Sequence, residues 1–556
     1  MLRKITLLLV IFSVQFSFGQ TNYFVGQTGQ DAAGFGLSAS SPFLTVTYAA
    51  TQVTAGDTIN VLSGTYTNTS YGNGNMWNED EAVKIYDLHG NASAYITIRP
   101  FGNQSVTFKG DGDYIVQIRN SSYIRLQGFG IEGEVNHIPL DSALQYQFIY
   151  KDSLGIIHYR VAPHTPDSVV DTMTFPILNH ILRPGYFNGI GVLVQNSNHV
   201  DISGNHIHHT PGTGLRAFQC DYINFTDNEI DNCSRRSSVG NHGLVIDGSI
   251  SVDNIDTAKI FILRNRVHHN YNEVYSWNPQ KTFINAQIDE GKGITPQRNT
   301  VANGWRHGRI RIENNLAYLN GFSGVAVNEG VRVDIINNSC YLNSFTGRGR
   351  YLGISIQSGD SISIVNNIVV ADTSWQGFAL AASDTSNLLI STNLIQGHVD
   401  AGIAAIAVNS VFTDPQFNNP SVYDFSLQPS SAAINASLLT MAPLTDFFNN
   451  TRDSLPDIGA IEYISPIGIA DAGQLLEHVG VYPNPFSIQA TFYSDFILKN
   501  ATLTVYNTYG QIVKQIRNIS DQWIVFTRDN LPSGPYFLQL TEKNEIIAID
   551  KIMIAD

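Results

Sequence analysis

The sequence predicts an all-β protein, a parallel β-helix followed by a smaller β-rich domain. One template recurs seven times between residues 200 and 395, an alternating apolar strand ending in Asn: Val200–Asn205, Ile223–Asn228, Ile260–Asn265, Ile310–Asn315, Val333–Asn338, Ile362–Asn367 and Leu388–Asn393. A Gly that opens a second alternating strand precedes each copy, at Gly191, Gly214, Gly243, Gly293, Gly324, Gly353 and Gly377. A strand-turn unit of this period cannot bury its own apolar face and must stack on the next copy, which makes a solenoid. Asn suits such a turn, because it tolerates left-handed backbone angles and its amide can bond to the Asn above and below. The Gly-to-Gly spacings are 23, 29, 50, 31, 29 and 24 residues, so the longest inserted loop lies between Gly243 and Gly293. Function on a rigid scaffold concentrates where such loops are.

The elements follow in chain order. Residues 1–19 carry Arg3 and Lys4, an apolar run from Ile5 to Phe18 and small residues at Ser17 and Gly19, the pattern of a secretory signal peptide too short to span a membrane. No other stretch approaches membrane length. Asn22-Tyr-Phe-Val opens an edge strand, Ser41 to Ala50 reads as a short capping helix, and Gly56 to Tyr66 is the first rung. Residues 134–187 break the rhythm, with a β-hairpin around Asp152-Ser-Leu-Gly155, and form an insertion beside the groove. The periodicity fades from Val411 to Tyr463, a closing segment expected to cap the last rung. A linker, 464–477, leads to 478–556, where short strands of a different composition begin.

Composition limits the partners. A net charge of -15 argues against nucleic acid, which needs a basic surface. Within that acidic chain, Lys292, Arg298, Arg306, Arg309, Arg311, Arg332, Arg348 and Arg350 form a basic island suited to a polyanion. Arg311 and Asp334 are expected to pair on adjacent rungs. The three cysteines, Cys220, Cys233 and Cys340, cannot all pair, and a bridge between Cys220 and Cys233 stays open.

Aligning the rungs turns the sequence into surface columns. His242 falls beside Lys292, and Phe218, Asp247, Gln297, Asn328 and Gln357 form a mostly polar strip with Arg216, Arg298 and Glu329 next to it. Asp289, Glu290 and Lys292 stand at its entrance. Eliminative cleavage of a uronic-acid polymer needs a base beside the carboxylate and a cation to neutralise it. Lys292 fits the base if neighbouring cations depress its pKa, with His242 close by and Arg298 or Arg306 as neutraliser. Alternatively Asp289 and Glu290 hold calcium, the one candidate cofactor. As a carboxylate pair they also suit a glycoside hydrolase, and Trp277 and Trp305 suit a sugar platform. His208, Asp231, His268, Tyr318 and Tyr341 form another column, with His209 and His269 alongside. It offers transition-metal ligands but no evident fourth one, and stacked polar turns explain it more simply.

Three resemblances add to this reading. The opening from Asn22 to Tyr66 resembles the N-terminal cap of secreted right-handed β-helix proteins, including polysaccharide lyases of the chondroitinase B kind, and the central block resembles secreted β-helix proteins acting on polysaccharides. Trp305-Arg-His-Gly308 resembles the Arg-His-Gly segment that bears the catalytic arginine in the chondroitinase B and alginate lyase family, which implies Arg306. Gly291-Lys292-Gly293 departs from that family's Ser-x-Lys-Ser lysine context. The chain also lacks the Asp-rich signatures of polygalacturonases and the Asp-Gly-Phe context of calcium-dependent pectate lyases. Asp424 to Tyr463 resembles the closing segment of the choice-of-anchor Q type. Val481-Tyr-Pro-Asn-Pro-Phe486, Leu503 to Lys514 and Leu531 to Leu540 resemble the type A sorting domain of the type IX secretion system, which implies an immunoglobulin-like β-sandwich read by the export machinery and a source in the Bacteroidota. The expectation is thus a right-handed parallel β-helix over 20–463, secreted or attached to the cell surface, monomeric, and acting on an acidic polysaccharide as a lyase. A glycoside hydrolase and a non-catalytic glycan-binding adhesin are the alternatives.

Overall fold

The computed structural model describes residues 20–556 apart from 146–148, 152–153, 155–156, 160–167, 170–184, 277–287, 289, 345–350, 375–376, 465–478, 495–496, 509, 544 and 556. The chain divides into two compact units, 1–463 and 464–556.

The first unit is a right-handed parallel β-helix of three ladders. The first runs through Tyr114–Arg119, Ile190–Gln195, Leu215–Phe218, Leu244–Asp247, Ile294–Asn299 and Val325–Ile336. The second runs through Ser122–Gln127, Asn198–Ser203, Asp221–Thr226, Ala258–Leu263 and Arg309–Glu313. The third is a ten-stranded parallel sheet that includes His206–His208, Glu229–Asp231, Arg266–His268 and Leu316–Tyr318. Alternate residues point inward, and Leu215, Leu244, Ile294 and Val325 stack rung on rung in the core. Each such side chain contributes about 1.5–3 kcal/mol by leaving water.

All seven template Asn residues form one buried ladder. Their Nδ2-to-Oδ1 bonds run Asn205–Asn228 3.1 Å, Asn228–Asn265 3.0 Å, Asn265–Asn315 3.0 Å, Asn315–Asn338 2.9 Å, Asn338–Asn367 3.0 Å and Asn367–Asn393 3.0 Å. The left-handed backbone belongs to the residue before each of them, as at Asp227 (φ 57), Arg264 (φ 54) and Asn337 (φ 51). The ladder Asn is therefore selected for its amide, which satisfies the buried backbone groups of the turn, and not for its φ. The Gly column is steric in origin. A Cβ on Gly243 would come within 2.8 Å of the Asn270 amide and 3.0 Å of the Gly293 carbonyl.

Several expectations need correcting. Gly353 faces Ala379 and not Gly377, because the pairing shifts between Tyr351 and Ile354. Another irregularity, between Val327 and Asn328, puts Ser358 opposite Asn328 in place of Gln357. The three cysteines are free and buried, and burial pushes each thiol up to about 12. The closing segment lies along the outside of several rungs, where Phe417, Phe425 and Ile458 pack on Tyr318, Ile368 and Leu394. Arg452 there donates to Asn314 Oδ1 at 2.9 Å. The hairpin strands Ile149–Lys151 and Ile157–Tyr159 pair antiparallel, joined by Ser168–Val169.

The second unit holds a three-stranded and a four-stranded antiparallel sheet around Phe486, Phe492, Val505, Phe526, Leu538 and Ile552, a small β-sandwich.

Candidate functional site

Parallel pairing on the first ladder builds a continuous outward column: Tyr86, Arg119, Gln195, Phe218, Asp247, Gln297, Asn328 and Ser358, each opposite the next. Rungs about 4.8 Å apart make this a comb of polar and aromatic side chains roughly 34 Å long. Arg216 projects on the same face, with Val245 and then Thr295 on the neighbouring rungs.

At its centre the Asp247 carboxylate has no exposed surface, whereas the side chains of Arg216 and Arg298 are 23% and 43% exposed. Arg298 donates to Asp247 through Nε at 2.8 Å and Nη2 at 2.5 Å, Gln297 donates at 3.2 Å, and Arg216 closes the other side. Strand alternation would send Arg298 inward after Gln297. Its left-handed backbone, φ 53, turns it back over Asp247 instead. Burial alone would raise the Asp247 pKa, but the Arg298 hydrogen bond and the two guanidinium charges outweigh it and hold the group below its ordinary value. The Nε–H of Arg216 is buried and has no acceptor among the described residues.

On the same two rungs, five residues earlier in each strand, lies a closed cluster. His242 and Lys292 are neighbours, as the alignment of rungs expects, and the backbone N–H of Lys292 points at His242 Nδ1 at 3.4 Å. Lys292 Nζ sits 3.0 Å from Glu290 Oε2 and His242 Nδ1 lies 3.7 Å from the same oxygen, with side-chain exposures of 8%, 6% and 4% for Lys292, Glu290 and His242. The Phe322 ring covers the ammonium at 4.9 Å. The base reading of Lys292 asks for cations beside it, and the group facing its Nζ is the Glu290 carboxylate. Asp289 and Trp277 lie outside the described residues, as do Arg348 and Arg350.

Trp305 is no sugar platform, because it is fully buried in the coil core, 5.9 Å from the Lys259 ammonium. Arg306 is exposed on the loop that follows, where its backbone N–H donates to Ser251 Oγ at 3.0 Å. Glu329 is exposed and Asn328 half-buried at the far end of the strip. Of the six described residues of the basic island, Lys292, Arg298, Arg309 and Arg311 pair with carboxylates. Arg309, not Arg311, pairs with Asp334 at 2.5 Å, and Arg311 turns along its own strand to Glu313. Arg332 donates to the Gly308 and Trp305 carbonyls at 2.8 and 2.7 Å. A concavity of about 970 Å³ lies elsewhere, lined by Asn22, Asn60, Arg99, Phe101 and Gln104, and contains none of the expected site residues.

Two groups at the start of the first-ladder strand Tyr114–Arg119 escaped the alignment of rungs. Asp113 is pushed up to about 6, first by burial and then by Glu79 and Glu81. Tyr114, next in sequence, is raised by burial and by Asp113 while the Arg216 charge pulls the other way, so it keeps its proton near neutral pH. Tyr114 stands opposite Ile190 on the column that continues to His242 and Lys292. The irregular spacing of the early rungs, broken by the insertion, hid this position.

Residues 480–555 match the family of secretion system C-terminal sorting domains. That address makes the protein secreted or attached to the cell surface. No curated protein shows significant sequence similarity to the chain. Among solved structures it is similar to a pectate lyase, with 16% identity over 80% of this chain and 97% of that one and a TM-score of 0.40. A rhamnogalacturonan lyase gives 14% identity, 81% and 97% coverage and a TM-score of 0.34. The A-module of an Azotobacter vinelandii mannuronan C-5 epimerase gives 11%, 66% and 90%, with 0.29. Similarity this distant assigns no activity.

Proposed function

We propose that the protein binds an extended acidic polysaccharide along the column from Tyr86 to Ser358 and cleaves it by β-elimination. The observation that carries this reading is the column itself, an unbroken comb on an exported scaffold with two half-exposed guanidiniums fixed at its centre by one buried carboxylate. A regular linear polymer suits a regular row of hydrogen-bonding and stacking side chains. Arg216 and Arg298 are held in place by Asp247 and keep outward donors for a substrate carboxylate, a pre-organised arrangement. Gln297, Asn328 and Glu329 extend the binding strip.

In the elimination, Asp113 takes the proton from the carbon beside the substrate carboxylate, and an arginine neutralises the charge that develops there. The C–O bond to the leaving sugar breaks as the C=C bond forms, and Tyr114 protonates the departing oxygen. An acid displaced upward to about 6 and a phenol that stays protonated supply the two opposite roles. Lys292, His242 and Glu290 act as the supporting wall beneath the strip, and Arg306 lies on its flank.

The purified chain with a panel of acidic and neutral glycans tests this. New ultraviolet absorbance from unsaturated uronate is expected, lost in Asp113→Asn. Reducing ends without that absorbance indicate a hydrolase, and retention without cleavage a binding protein. Either result overturns the elimination.

A further inference from the structure

The third ladder carries a cluster unrelated to the polysaccharide strip. Register places Glu229 opposite His206 on one side and Arg266 on the other, and Asp231 opposite His208 and His268. Glu229, Asp231 and His268 thus occupy three corners of one rectangle on a rigid sheet face. Their ligand atoms all lie within 4.8 Å of one another. One link crosses the rectangle and a second reaches it from the adjacent rung. His268 Nε2 is 3.2 Å from Glu229 Oε1, and His206 Nε2 is 2.6 Å from Asp231 Oδ2.

We propose that Glu229, Asp231 and His268 bind a first-row divalent transition metal, with zinc as the reference ion. The donor set decides the class. Imidazole beside carboxylates favours zinc and its neighbours, whereas calcium and magnesium seek all-oxygen shells. Donors at about 2.1 Å from a tetrahedral ion stand roughly 3.5 Å apart. The observed spread closes to that value by a small rotation of Glu229, whose side chain is 44% exposed.

The surroundings of the ligands have the features that metal sites require. The Nδ1 edge of His268 faces His269 Nδ1 at 2.8 Å, and the outer edge of His269 faces the Tyr423 hydroxyl at 3.4 Å. The His268 ring is clamped against Tyr318, centroids 4.6 Å apart and nearly parallel. Asp231 is almost wholly buried and anchored by Asn232 at 2.6 Å, and the adjacent Arg266 stacks its guanidinium over Phe447. Three protein ligands leave a position for water or an exogenous oxygen.

The full chain, stripped with a chelator, is titrated calorimetrically with Zn²⁺, with Ca²⁺ and Mg²⁺ as separate arms. One saturable zinc equivalent is expected, with no heat from the other two ions, and Co²⁺ should give visible d–d bands. His268→Ala and Glu229→Gln should each weaken binding at least tenfold, and the half-exposed position of Glu229 keeps that variant folded by circular dichroism. His269→Ala, which removes only the outer partner, should cost about 10–100-fold. His89→Ala, an exposed histidine elsewhere, should change nothing. Absence of saturable zinc uptake, uptake unaffected by both ligand variants, or stronger binding of calcium than zinc would overturn the assignment.

Discussion

Two buried carboxylates near the same strand, Asp247 and Glu290, solve one electrostatic problem in two ways. Each is removed from water and faced by nitrogen-bearing side chains. Around Glu290 the partners are themselves buried, so the cluster is closed. Around Asp247 they are arginines that reach solvent. A compensated buried charge therefore does not by itself mark a site. What marks one is whether the compensating groups still present unused donors to the outside, which Asp247 permits and Glu290 does not.

The sharpest way to break this comparison is Lys292→Met. It takes the ammonium partner away from the buried Glu290 carboxylate, and removal of one partner of a buried pair costs about 3–5 kcal/mol. Denaturant unfolding should show that loss, and the double variant Glu290→Leu with Lys292→Met should recover most of it. A Lys292→Met protein of full stability but no lyase activity would return Lys292 to the chemistry.

Next in size is the Asn ladder. Asn315→Ala removes the Oδ1 that accepts from both the backbone and the side chain of Asn265, at 2.8 and 3.0 Å. Each orphaned buried group costs roughly 1–3 kcal/mol. The variant should unfold at lower denaturant with polysaccharide affinity unchanged per folded molecule.

Arg298→Ala should do the reverse. Asp247 keeps Arg216 and Gln297, so stability falls less than in Lys292→Met, while affinity for an acidic glycan drops at least tenfold. Arg298→Lys should rescue little, because an ammonium cannot reproduce the two-pronged contact. Affinity measured in the folded variant separates the two roles.

The ladder was legible because it obeys one offset: each template Asn is the last residue of an alternating strand, and bonding to the next copy needs nothing from the loops. A second ladder was equally legible and went unread. Asn270, Asn320 and Asn343 lie five residues after Asn265, Asn315 and Asn338 and bond at 3.0 and 2.9 Å. Cys233 holds the same offset from Asn228 and donates its N–H to Asn270 at 3.0 Å. The outward chemistry was less legible. Register predicted the neighbours His242 and Lys292, or Asp247 and Gln297, but which partner a long side chain chooses depends on reach. Arg309 takes Asp334 across a diagonal and Arg311 takes Glu313 along its own strand. Trp305 misled for another reason: a loop tryptophan beside a charged run looks exposed, and only the fold of the loop shows that it plugs the core.

The smallest effect separates two carboxylates of the first ladder, Asp247 and Asp113, by pH. Asp247 has a folded pKa below its unfolded value of about 3.9, so its stabilisation is complete above that pH and is lost on acidification through the folded pKa. Asp113 is displaced the other way, to about 6, so its contribution is complete below roughly pH 4 and is lost as pH rises through 6. Asp457 in the closing segment, also raised to about 6, adds a parallel loss that substitution at 113 leaves in place. The melting temperature of Asp113→Asn relative to the unsubstituted chain should therefore rise between pH 4 and pH 7. Cleavage by the unsubstituted chain should climb over the same interval, because the base must be ionised to accept a proton. A relative melting temperature that stays flat from pH 4 to 7 would mean that Asp113 is not displaced upward, and the proposed base would lose its physical footing even if Arg298 still proved necessary for binding.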